Sequence, residues 1–131
     1  RGQLRVLAER VSQRRANNAY YREALSGVAG IEFMPEAPYG SSNAWLTCIT
    51  IDPEQFGRTR EDVRLHLESH NVESRQVWKP MHLQPAFRSA RVRGGGVSET
   101  LFERGLCLPS GSNLSSADRE LVASEIRVLH R

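Results

Sequence analysis

The residues with the most chemical potential are crowded into one segment, residues 73–87. It runs Glu73-Ser74-Arg75-Gln76-Val77-Trp78-Lys79-Pro80-Met81-His82-Leu83-Gln84-Pro85-Ala86-Phe87. A planar guanidinium such as that of Arg75 matches a carboxylate or phosphate through paired hydrogen bonds. Trp78 offers a flat face on which a nucleobase or sugar stacks. Lys79 and His82 can donate to phosphate oxygens, and His82 can also move a proton near neutral pH. Pro80 and Pro85 lie five residues apart. That spacing excludes a regular strand or long helix and predicts a stiff loop after a strand. Such loops carry sites because they hold polar groups in place. The same composition also describes a packed structural loop whose aromatics cover a sheet edge, and composition alone does not choose between the two.

Other constellations are weaker. His66 and His70 have the spacing of a two-histidine metal site on a helix, but the residues between them are not those of HExxH and no third ligand is evident in sequence. A solvated helix face is the expectation, with no metal. Arg93-Gly94-Gly95-Gly96 lacks the lysine and hydroxyl of a phosphate loop, so it reads as a flexible connector. Ser110-Gly111-Ser112-Asn113 is a turn and not a nucleophile elbow. Lys79 is the only lysine, and nothing around it shows the desolvation or neighbouring cation that a Schiff-base lysine needs.

The elements that must position these groups follow from periodicity. Leu4, Leu7, Val11, Tyr21 and Leu25 recur at helical spacing over residues 3–25, with Asn18 on the same line. The opposite face is Arg-rich and is expected to be solvated. Residues 30–34 and 44–51 read as strands, the second closed by Asp52-Pro53. Thr59 and Asp62 have capping-box spacing and start a helix through residue 69, with Val63 and Leu67 inward and Asn71 at its left-handed end. A strand is expected over 72–78, a mobile loop over 88–96, a helix over 97–104 stopped by Gly105, and a strand over 106–108. A last helix is capped by Ser115 or Ser116 and buries Leu121, Val122, Ile126 and Leu129. The expected fold is α+β (mixed α/β), a small sheet covered by helices.

The totals bound the rest. A chain of 131 residues builds one modest core. It starts at Arg1 without a methionine and opens directly into helical sequence, which reads as a cut from a longer chain. The net charge of +3 is too small, and its acidic residues too interspersed, for a nucleic-acid binder. Cys48 and Cys107 stand far apart in sequence, each in an apolar strand-like run. Two such thiols suggest reduced, buried cysteines and a cytoplasmic protein. The longest apolar stretch is far too short to span a bilayer.

The run Ser74-Arg75, then Trp78 to Phe87, resembles a signature of the DegT/DnrJ/StrS family of sugar aminotransferases. It is most similar to the branch that aminates UDP-4-keto sugars for bacillosamine-type glycans. Residues 43–52 resemble the family's small-domain strand, and residues 101–111 with Asn113-Leu114 its C-terminal helix, strand and turn. The opening helix, with Arg14-Arg15 and Tyr20-Tyr21-Arg22, is similar to the long helix that links the two domains. The resemblance covers essentially the whole chain in order. It implies a helix over 1–27 linking to an absent large domain, and a C-terminal small domain over 28–131 of a fold-type-I pyridoxal-phosphate (PLP) transferase. It further implies a homodimer that moves an amino group, usually from glutamate, to a nucleotide-linked keto sugar. Trp78, Lys79, His82 and Gln84 would contact the sugar nucleotide, and Arg75 a carboxylate or phosphate. The family's cofactor lysine lies in the large domain, so the resemblance implies no catalytic residue here and no PLP bound to this chain alone. Relatives with histidine in place of that lysine are sugar dehydratases, and the deciding position is outside this sequence.

Two readings of other classes compete. One is a small Arg-rich module binding RNA or another acidic partner, which would show steep salt dependence. The other is a catalytically silent interaction domain derived from an aminotransferase.

Overall fold

The computed structural model describes residues 2–130. In chain order the elements are α1 (Gly2–Arg5), α2 (Leu7–Ala24), β1 (Ile31–Phe33), β2 (Thr47–Ile51), α3 (Pro53–Phe56), α4 (Arg60–Ser69), β3 (Arg75–Gln76), α5 (Gly96–Arg104), β4 (Gly105–Leu108) and α6 (Ser116–Leu129). Two short 3-10 turns, Met81–Leu83 and Pro85–Phe87, lie between β3 and α5.

The strands form one antiparallel sheet in the order β1-β2-β4-β3. Strand alternation sorts its two faces. Thr47, Ile49 and Ile51 of β2 are buried, and Ile49 and Thr47 stand opposite Leu106 and Leu108 of β4. These residues meet Tyr21 and Leu25 of α2, Val63 and Leu67 of α4, and Val122, Ala123 and Ile126 of α6 in one core. The other face carries Cys48, Cys107 and Arg75, which share register across three strands. The helix-covered small sheet expected from sequence is the observed architecture.

Local chemistry explains the helix ends. At α4, Thr59 Oγ1 accepts from Asp62 N at 3.2 Å while Asp62 Oδ2 accepts from Thr59 N at 2.8 Å. Ser115 and Asp118 repeat this reciprocal cap at α6. Asn71 ends α4 at φ 58°, the left-handed conformation that asparagine tolerates. The sharpest steric demand is at Gly105, where α5 runs straight into β4. A Cβ there would fall on the Leu101 carbonyl oxygen and within 2.6 Å of Val77 Cγ2.

Several expectations need correction. The opening helix breaks at Val6, whose N–H turns back to Gln3 O, and Leu4 and Leu7 are exposed (73% and 53%). On α2 the buried amide is Asn17 and not Asn18. The strand over 72–78 shrinks to two residues, because Val72 N still bonds Leu67 O at the end of α4 and Pro80 cannot extend a ladder. The strand over 44–51 starts at Thr47, since Ser42 and Asn43 side chains accept from Ala44 N and Trp45 N and hold a turn there. In α6, Leu121 is exposed and Ala123 takes its place in the core. The short helix α3 was not anticipated. Asp52 caps it by accepting from Glu54 N at 3.0 Å, with Pro53 in the first turn. Among the described residues no helix is long and apolar enough to cross a membrane.

Candidate functional site

The chemistry-rich segment leaves the sheet at β3 and folds into the two 3-10 turns, so the prolines act as expected. Arg75 projects from the edge strand, and its Nε and Nη2 bond Glu73 Oε1 at 2.8 and 2.7 Å. That pair is about three-quarters exposed on both sides, so it is weak and open to exchange with an external anion. Trp78 is 65% exposed and stacks on Trp45, with ring centroids 6.1 Å apart and planes 20° from parallel. Trp45 is also mostly exposed. The two rings, Arg75, Pro109 and Ser110 are among the residues lining an open cleft of about 310 Å³. Aromatic faces beside a guanidinium suit a planar, negatively charged ligand.

The other residues singled out in the loop behave differently. Lys79 is exposed, and its carbonyl accepts from Gln84 Nε2 at 3.3 Å. Gln84 thereby holds the loop closed on itself. His82 is mostly buried, and its Nε2 lies 2.8 Å from Glu99 Oε1 on α5. Gly95 packs directly on this pair at φ 117°, and a Cβ there would sit 3.1 Å from both His82 Nε2 and Glu99 Oε1. The glycine run is thus a fitted contact as well as a connector. The fold brings Arg75 and Trp78 into one cleft and directs His82 and Gln84 toward internal partners. Trp45, Pro109 and Ser110 are cleft residues that the sequence reading did not assign to a site. The only signal for Trp45 was a tryptophan next to the turn-forming Ser42-Asn43 pair.

The Arg-rich face of α2 also departs from expectation. Arg14 Nη1 donates to Trp45 O, Arg15 Nε to Ser42 O at 2.7 Å, and Arg22 Nη2 to Met34 O. These arginines fasten the loop between β1 and β2, and through it they set the position of Trp45. Arg15, Asn18 and Arg22 line a second cavity of about 520 Å³ against this loop. Beneath the cleft, Ser110 Oγ accepts from Thr47 N and donates to Leu108 O, both at 2.8 Å, which fixes the end of β4.

Cys48 and Cys107 are distant only in sequence. They face each other across β2 and β4 with Sγ atoms 3.6 Å apart. The Cys107 thiol, donating toward its neighbour, draws the Cys48 thiol down to about 7, while Cys107 itself is pushed up. Both are free, and Cys107 is buried while Cys48 is half-buried.

A PLP site needs a desolvated lysine and an acidic partner for the ring nitrogen. The one lysine here is exposed on the loop surface, so the residues of this chain do not build such a site by themselves.

Comparison with known proteins follows the same lines. The chain is 44% identical over 121 residues to EpsN of Bacillus subtilis (strain 168), named as a pyridoxal phosphate-dependent aminotransferase, covering 89% of this chain and 30% of that protein. It is 28% identical to the dTDP-4-amino-4,6-dideoxy-D-glucose transaminase of Escherichia coli, covering 86% of this chain and 31% of the relative. The fold superimposes on the crystal structure of the aminotransferase TlmJ from Streptoalloteichus hindustanus with a TM-score of 0.85 at 30% identity, covering 97% of this chain and 33% of that one. The chain therefore spans about a third of the length of these relatives. The model of the DegT/DnrJ/EryC1/StrS aminotransferases matches residues 1–127, nearly the whole chain, and the chain belongs to that PLP-dependent family.

Proposed function

We propose that this chain is the C-terminal part of a PLP-dependent nucleotide-sugar aminotransferase serving polysaccharide or glycan biosynthesis. In this reading residues 1–27 link to a large domain, and residues 28–131 are the small domain. The amino donor is glutamate, the acceptor is a nucleotide-linked keto sugar, and the whole enzyme is a cytoplasmic homodimer. The carrying observation is the family match over residues 1–127, joined to a cleft that presents two stacked tryptophans beside an anion-binding guanidinium. A transaminase of a dTDP-linked sugar among the relatives supports the substrate class.

When bound, PLP supplies the electron sink for amino transfer. The residues of this chain contribute binding and orientation. Trp78, backed by Trp45, stacks a nucleobase or sugar face, and Arg75 leaves Glu73 to pair with a phosphate or carboxylate. Lys79, free to swing at the loop surface, adds a second positive charge. His82 and Gln84 set the loop's shape from beneath, the first through Glu99 and the second through the Lys79 carbonyl.

The experiment uses the whole protein that carries this chain. PLP is added, borohydride is applied, and the visible spectrum is followed with glutamate. A cofactor fixed to a lysine by borohydride, and converted to its amino form by glutamate, supports the aminotransferase. Cofactor binding that borohydride does not fix selects the dehydratase branch. No binding refutes both readings. In an active enzyme Trp78→Ala, checked for folding by circular dichroism, is expected to raise KM for the nucleotide sugar about 5- to 150-fold, from the ~1–3 kcal/mol of one aromatic stack. An unchanged KM removes Trp78 from the binding role.

A further inference from the structure

We propose that His66, His70 and Glu125 form a binding site for a divalent transition metal of the zinc class, separate from the tryptophan cleft. His66 and His70 stand one turn apart on α4, and Glu125 comes from α6, the helix packed beside it. The sequence reading found no third ligand because Glu125 lies 59 residues from His66, and only the packing of α4 on α6 brings it near. The three ligand atoms lie within 4.8 Å of one another, the one such group of three among the described residues.

The hydrogen bonding is what points to a cation. His70 Nδ1 lies 2.9 Å from the His66 carbonyl oxygen. A carbonyl only accepts, so this contact favours the tautomer with the proton at Nδ1, which also lies 3.2 Å from Ser69 Oγ. This is the backbone contact that fixes a metal-binding histidine in the tautomer with Nε2 bare. In neutral His70 that bare Nε2 faces Glu125 Oε2 at 3.5 Å. His66 Nε2 approaches the same oxygen at 2.8 Å. The two imidazoles and the Glu125 carboxylate thus present three lone-pair donors toward one point, the kind of set a metal ion takes. The rings lie 4.5 Å apart between centroids, so a single ion can reach both imidazoles and the carboxylate. One metal ion serves all three groups at once.

The geometry suits a tetrahedral ion. With bonds of about 2.0–2.1 Å, neighbouring ligand atoms are separated by about 3.4 Å; the 3.5 Å between His70 and Glu125 already matches, and the 2.8 Å between His66 and Glu125 widens as the ion replaces their hydrogen bond. Two imidazoles and one carboxylate match the donor set of zinc, cobalt or nickel. The fourth position would face solvent, since His70 is exposed while His66 and Glu125 are mostly shielded. Such an ion would staple α4 to α6, and its open position could take water or an anionic ligand.

The test uses untagged chain freed of metal with a chelator, titrated with zinc by calorimetry and with cobalt by visible absorption. One equivalent is expected to bind, with tetrahedral cobalt absorption, no near-ultraviolet thiolate-to-cobalt band, and a rise in melting temperature. His66→Gln, His70→Gln and Glu125→Gln are each expected to weaken binding at least about tenfold, the loss typical when metal-site support is removed. Because Gln keeps the size of the acid, Glu125→Gln separates loss of the ligand charge from loss of folding. The proposal is overturned by absence of stoichiometric binding, by affinity unchanged in all three variants, or by a thiolate band that assigns the metal to Cys48 and Cys107. Failure here leaves the aminotransferase reading untouched, since no PLP chemistry enters the measurement.

Discussion

Tyr21 shows how one atom can sit at odds with an otherwise satisfied core. Its ring is fully buried against the sheet and meets Tyr20 edge-on. Its hydroxyl has no hydrogen-bond partner among the described residues. Burial pushes the phenol from 10.0 up to about 12. A group whose folded value is raised contributes stability below its ordinary value and loses it as the pH climbs through the raised one. The window here is therefore pH 10 to about 12. Tyr21→Phe keeps the ring and removes the orphan hydroxyl. It is expected to leave stability unchanged or raise it by about 1 kcal/mol, and to reduce the loss in that alkaline window, where Tyr20, also raised, still contributes. Urea unfolding at neutral and alkaline pH measures both effects, and a clear destabilisation would mean that the hydroxyl has a partner.

At the scale of elements, α4 depends on its first turn. The reciprocal bonds of Thr59 and Asp62 satisfy donors that no helix can satisfy internally. Thr59→Ala is expected to cost about 1 kcal/mol in urea unfolding. The Thr59 hydroxyl and N–H hold the Asp62 carboxyl below its ordinary value of 3.8. A lowered acid contributes above its ordinary value and loses that contribution as the pH falls through the lowered one. The gap between Thr59→Ala and the parent is therefore expected to narrow in acid below about pH 4, and a constant gap would place the contribution elsewhere. The same helix carries His66 and His70, so its cap supports the metal site without touching it.

For the molecule as a whole, the central strand decides stability. Leu106 lies on β4 between Ile49 of β2 and Gln76 of β3 and is fully buried. Leu106→Ala is expected to cost about 2–5 kcal/mol, because the methyls lost are not replaced in a packed interior. Leu4→Ala, on the exposed N-terminal turn, is expected to stay within about 0.5 kcal/mol. Equal effects would contradict the burial assigned to the two leucines. The metal site and the cleft draw on different elements, α4 with α6 in one case and the ends of β2, β3 and β4 in the other.

Much of this protein was legible in one dimension, because it rests on short-range rules. Capping-box spacing located the start of α4 and a serine cap that of α6, Asn71 and Gly105 marked element ends, and paired prolines forced the loop after Trp78. The residues of that loop were also specific enough to suggest the family. The partners of those residues were not legible. Trp45 behind Trp78, Glu99 under His82, Cys107 opposite Cys48 and Glu125 beside His66 are each separated from their partners by many residues. Strand order and helix packing bring them together, and those depend on burying one shared apolar face. The same reason explains the misplaced details. Periodicity marked Leu4, Leu7 and Leu121 as apolar positions, but burial requires a facing surface, and only the tertiary structure shows that they remain exposed.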